Sequence, residues 1–198
     1  IEMRTELKRL HLETNSTFVY VTHDQLEAMT LSSRICLMEE GKVQQYAAPL
    51  EIYNNPINLF CAEFVGNPTM NLIDVKCYQD DSGDIQLVSK DLHFKFKPSS
   101  GMPRLRKGAD LLLGLRPEHI GLTDNSPVKC KVYSTLPSGM ETTVILKIEN
   151  TLLTAVVFGG TDFPVDSGIG LELDHDNYIL FDKSSQENIV TGSLDVLL

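Results

Sequence analysis

His23 is the first residue of this chain whose type and setting suggest chemistry. It stands in Thr17-Phe18-Val19-Tyr20-Val21-Thr22-His23-Asp24-Gln25-Leu26-Glu27. An imidazole changes charge near neutral pH and can orient a water or a proton beside a phosphate. Thr17 to Val21 are β-branched or aromatic and predict a short buried strand, parallel to its neighbours. Thr22 and Gln25 have the spacing of a capping box and predict that a helix begins here. His23 would then sit at a strand tip and on a first helical turn. Unpaired N–H groups and the helix dipole favour phosphate there, and ligands of open α/β sheets gather there. A plainer reading leaves His23 as a helper in capping the helix.

A second group, Arg116, Glu118 and His119, falls within one short stretch. In a loop these residues are expected either to meet a ligand or, more simply, to form a local salt link and turn. His11, His93 and His175 are scattered among polar residues without metal-ligand spacing and are read as surface histidines. Asp174-His175-Asp176 resembles a metal site only superficially, since neighbours on a strand point to opposite faces. Lys95, Lys97, Arg104, Arg106 and Lys107 lie close to Phe94 and Phe96, a combination that can serve single-stranded nucleic acid. The net charge of −10 and the absence of tryptophan argue against that use.

At 198 residues, 42% of them apolar, the chain can hold one or two domains with real cores. Cys36, Cys61, Cys77 and Cys130 show no paired spacing and read as small hydrophobes in a reducing compartment. No apolar run reaches a membrane span of about 20 residues. Ile1-Glu2-Met3-Arg4 lacks the apolar core of a signal peptide, so a cytoplasmic protein is expected.

The elements that must position these residues follow from periodicity. Met3, Leu7 and Leu10 predict a helix from Ile1 to Leu12. A helix from Asp24 to Ser32 follows the strand, then a hairpin of Ile35–Met38 with Val43–Tyr46 turning at Gly41-Lys42. Short helices are expected at Leu50–Tyr53 and from Pro56 to Phe64. Past Gly66-Asn67-Pro68 the texture becomes short strands broken by turns. They are predicted at Ile73–Tyr78, Ile85–Val88, Leu92–Lys97, Leu111–Leu115, Val128–Ser134, Thr142–Ile148, Leu152–Val157, Leu171–Leu173 and Tyr178–Phe181, with a turn over Asp80-Asp81-Ser82-Gly83-Asp84. A pair of OB-like barrels is the expected architecture.

Val21-Thr22-His23-Asp24-Gln25-Leu26-Glu27-Ala28-Met29-Thr30-Leu31 resembles the switch-histidine segment of ABC transporter ATPases, narrowly those of maltose and multiple-sugar importers. Ser33 stands where the family usually has an acid. The likeness continues through Met38–Tyr46, Pro49–Tyr53 and Phe64–Leu72. Gly114-Leu115-Arg116-Pro117-Glu118-His119-Ile120, Gly139-Met140-Glu141-Thr142 and Tyr178–Asp182 resemble the regulatory domain of the same family, with Pro137 and Ser138 departing from the commoner pattern. The resemblance implies an α/β remnant of an ABC ATPase domain over residues 1–67 and an all-β OB-like (TOBE) domain over 68–198. It implies that His23 reaches the γ-phosphate of ATP and the attacking water in the intact ATPase. Arg116, Glu118, His119 and Glu141 become candidates for a regulatory site. ATP and magnesium would be cofactors of the intact protein. Membrane permease subunits and a homodimer would be its partners, on the inner face of the membrane, with no nucleic acid.

The chain has no G-x-x-x-x-G-K-[S/T] loop, no LSGGQ and no acidic Walker B strand. Alone it is expected neither to hold ATP tightly nor to hydrolyse it. Self-association is expected, either across the unpaired edge of Thr17–Val21 or through the barrel domain that the resembled family uses for dimer contacts. The alternative is a non-enzymatic regulatory or dimerisation module that binds a small ligand or a signalling partner.

Overall fold

The computed structural model describes residues 2–79, 84–101, 103, 105–173 and 175–197. The expected turn over Asp80–Gly83 lies outside them. The chain separates into two compact units, Ile1–Gly66 and Asn67–Leu198.

In the first unit α1 spans Glu2–Thr14 and α2 spans Gln25–Leu31. The hairpin forms as Ile35–Glu39 (β1) against Lys42–Ala47 (β2), with Glu39 opposite Lys42. Its two-residue turn is Glu40-Gly41, both at positive φ, the conformation whose twist matches the flanking strands. α3 covers Pro49–Asn54 with proline in its first turn. α4 covers Leu59–Phe64 and begins later than Pro56 suggested, because the Asn58 side chain accepts from Cys61 N at 2.9 Å and sets the N-cap. Leu37, Ala47, Ile52, Cys61 and Val65 form the small core.

The expected strand Thr17–Val21 is absent. The segment is irregular, and Val19 and Val21 are 90% and 92% exposed. β-branched residues favour a strand only where a neighbouring ladder receives their N–H and C=O groups. Among the described residues of this unit the only sheet is the β1–β2 hairpin, so no α/β layer forms.

The second unit is mostly β. Asn71–Gln79 (β3), Ile85–Val88 (β4), His93–Pro98 (β5) and Ala109–Leu115 (β6) come first. Gly121–Thr123 (β7), Lys129–Pro137 (β8), Glu141–Ile148 (β9) and Thr151–Phe158 (β10) follow. Gly168–Glu172 (β11), Tyr178–Asp182 (β12) and Asn188–Leu197 (β13) complete it. A six-stranded barrel closes in the order β12-β13-β5-β4-β3-β6. Period-two alternation drives it: Phe94 and Phe96 point inward at 0% and 1% exposure, while Lys95 pairs with Asp84 and Lys97 with Asp195 outside. Those rings are therefore not a stacking platform for bases, and Arg104 lies outside the described residues.

The second expected barrel is instead a five-stranded sheet, β10-β9-β8-β11-β7. β7 is only three residues long, and β10 packs on the short turn Pro117–His119. Barrel and sheet share one core, in which Leu113, Leu115 and Phe94 join Val132, Val144 and Leu146. Two polar links fasten them as well. Asn71 is one, described below. Asp91 is the other, accepting from Thr151 Oγ1 at 2.8 Å and Asn150 N at 3.2 Å.

Candidate functional site

His23 lies in a turn whose other polar groups are engaged. Asp24, not Thr22, caps α2: its backbone is extended and Oδ1 accepts from Glu27 N at 3.0 Å. Thr22 Oγ1 accepts from Asp24 N at 3.0 Å and donates to Glu27 Oε2 at 2.8 Å. A carboxylate makes the stronger, charge-assisted cap, which moves the N-cap two residues beyond the expected Thr22. Arg4 holds this corner from α1, with Nη2 3.2 Å from Asp24 Oδ2 and Nε 3.9 Å from Glu27 Oε1. Gln25 does not complete a capping box. Its Oε1 accepts from Gly66 N at 3.1 Å and ties α2 to the end of the unit. His23 is thus exposed, precedes the N-cap, and makes no hydrogen bond among the described residues.

The second candidate group is better defined. Arg116 leads into a 3-10 turn, Pro117–His119, and is only 1% exposed. At Gly114, two residues before it, a Cβ would come against Met70 Sδ and the Phe181 ring, so a side chain there requires Met70 to move. The His119 ring stacks on His175, with centroids 3.5 Å apart and planes 11° from parallel. Tyr178 Oη donates to the His119 carbonyl at 2.9 Å. Glu118 Oε1 stands 4.0 Å from His119 Nε2, and His119 Nδ1 is buried with no hydrogen-bond partner among the described residues. His175 is exposed, as its neighbours suggested, but its ring is engaged in this stack. Its segment is a loop rather than a strand, its Nδ1 accepts from Asn177 N at 3.1 Å, and Asp174 lies outside the described residues. Parallel rings aim their lone pairs in parallel planes, and among the described residues no group of three or more His, Cys, Asp or Glu is placed to hold a metal. Glu141 begins β9 opposite Phe158, and its carbonyl accepts from Ser138 N at 2.8 Å. It makes no hydrogen bond or ion pair with the Arg116–His119 group among the described residues.

Burial, then the nearby His175 and Arg116, pulls the His119 pKa from 6.5 down to about 4, against the opposing pull of Glu118. Between these values the unfolded chain binds a proton that the folded chain refuses. Stability therefore rises with pH across this window and falls on acidification, by up to about 3 kcal/mol once pH approaches the folded value. Urea unfolding of the wild type and His119→Phe between neutral pH and about pH 4 checks this. The variant, which keeps a stacked ring but cannot titrate, is expected to show the shallower loss.

The thiols follow the sequence reading in part. Cys61, Cys77 and Cys130 are buried and pushed up to about 11 by burial, whereas Cys36 is exposed.

A closed antiparallel barrel with a Gly-Leu-Arg-Pro-Glu-His turn leaving its β6 strand defines an OB-type domain. Residues 66–120 match the family described as the MalK OB fold domain. Over its wider length the chain is similar to ABC transporter and import ATP-binding proteins. The sn-glycerol-3-phosphate import ATP-binding protein UgpC of Psychromonas ingrahamii is 33% identical over 96% of this chain and 50% of its own length. The maltose/maltodextrin import ATP-binding protein MalK of Mannheimia succiniciproducens is 36% identical over 82% of this chain and 44% of its own. MalK of Yersinia pestis is 39% identical over 61% of this chain and 32% of its own. The chain is thus similar to import ATP-binding proteins, and its residues 66–120 are similar to an OB-fold domain of that kind. It spans half or less of the length of these relatives.

Proposed function

We propose that this chain is part of the ATP-hydrolysing subunit that energises carbohydrate import through an ABC transporter. Residues 1–67 supply the end of the nucleotide-binding domain and residues 68–198 a regulatory OB-like domain. The observation that carries this reading is the alignment to an import ATP-binding protein across 96% of the chain. In the intact subunit ATP and magnesium are the cofactors, permease subunits and a second copy are the partners, and the protein sits on the inner face of the membrane. His23 positions the γ-phosphate and the attacking water. Phosphoryl transfer rests on phosphate cradling and charge neutralisation, and the sequence contains neither a phosphate-binding loop nor the acidic strand that serves magnesium. The chain therefore needs the remainder of the subunit for hydrolysis.

The test is reconstitution. The portion of the Psychromonas ingrahamii relative that this chain does not match is fused to it in the order of the relative. The fusion is expected to hydrolyse ATP with magnesium, while the chain alone does not. A folded fusion that binds ATP without turnover rejects the reading. Calorimetric titration of the chain alone with maltose and with ATP addresses the alternative module: a response to either one favours a ligand-binding role independent of hydrolysis.

A further inference from the structure

The outer face of β8 and β9 carries an arrangement of charge that the composition does not suggest. Lys131 of β8 stands directly opposite Lys147 of β9, and both are exposed. Like charges facing each other across a ladder destabilise it, because repulsion adds to the confinement of two long side chains. The chain has 27 acidic residues with which to neutralise them. Yet among the described residues no carboxylate forms an ion pair with either amine. Glu149 lies two residues beyond Lys147 in the β9–β10 turn, and Asp166 donates its N–H to Val132 O beside Lys131, yet among the described residues neither is paired to these amines. Lys129, on the same face of β8, is committed through Nζ to the Asp124 carbonyl at 2.8 Å.

The flanking positions leave room above the pair. On the β11 side Lys131 neighbours Gly168, where a Cβ would meet nothing within 4 Å. On the β10 side Lys147 neighbours Leu152, which is 52% exposed. Directly opposite residues hold their Cβ atoms about 5 Å apart, so both stems reach one group of phosphate size. We propose that Lys131 and Lys147 form a seat for a phosphate-type oxyanion of a solute, held between the two ammonium groups on the open face of the sheet. A dianion relieves the repulsion more fully than a single carboxylate, and a phosphate monoester is largely dianionic above its second pKa of about 6. Charge complementarity identifies this occupant.

Amide NMR of the whole chain, titrated with inorganic phosphate at ionic strength held constant with chloride, tests the seat. Saturable shifts confined to Lys131, Lys147 and Gly168 are expected. Loss of one of two charge-assisted donors in Lys147→Thr weakens the response about tenfold. Lys131→Gln must do the same, and without phosphate Lys147→Thr is expected to unfold at an equal or higher temperature in chloride. Shifts that never saturate, spread over the surface, or persist unchanged in both variants overturn the proposal. So does acetate binding as tightly as phosphate.

Discussion

Replacing Asn71 by alanine is expected to lower the stability of the second unit by about 3 kcal/mol, because partly buried backbone groups lose three hydrogen bonds at once. The side chain of Asn71 acts as a short piece of strand. Its Oδ1 accepts from Thr154 N at 2.7 Å and its Nδ2 donates to Thr154 O at 2.8 Å, with a further bond to Leu115 O at 3.2 Å. Asn71 belongs to barrel strand β3 and Thr154 to sheet strand β10, so one amide fastens the two halves of a shared core. Alanine removes three hydrogen bonds and strands two peptide groups of Thr154. For a unit of this size the loss corresponds to a fall in melting temperature of about 10 °C. Differential scanning calorimetry measures it, and a change within 2 °C or so would show that the two halves are held by apolar packing alone. Asn71→Asp is expected to be no better, since it keeps the acceptor but sets a carboxylate against two carbonyl oxygens.

The barrel was legible where side chains alternate cleanly. Phe94 and Phe96 against Lys95 and Lys97 announced β5, and Ile85–Val88 forms with the bounds the residues suggested. β13, Asn188–Leu197, was not legible, although it closes the barrel between β12 and β5. Its inward positions include Gly192, which weakens the apolar signal. That glycine is required by contact: a Cβ there would meet Lys97 O at 2.2 Å. The His119–His175 stack was illegible for a different reason. It exists only once β12 is paired beside β6, and no local pattern encodes a meeting made by barrel closure. Thr17–Val21 erred in the opposite direction. Its composition expresses how well those residues would fit a sheet, and the described chain supplies no sheet beside them.

His23→Ala, made in the reconstituted fusion, is expected to reduce ATP turnover by ~10²–10⁴ while leaving nucleotide affinity within a few-fold. The local geometry explains why this substitution isolates one function. Thr22, Asp24, Gln25 and Glu27 are all bound into the helix cap or to Arg4 and Gly66, so each of them would disturb the fold if removed. His23 is exposed beside them and holds nothing in place. Its loss should leave the unfolding midpoint unchanged, which separates a role in the reaction from a role in the turn. Asp24→Ala provides the opposite case: the cap is lost at a cost of about 1 kcal/mol, and any effect on turnover should follow stability. A His23→Ala fusion that hydrolyses ATP at the parental rate would leave the cap intact and remove phosphate positioning from His23.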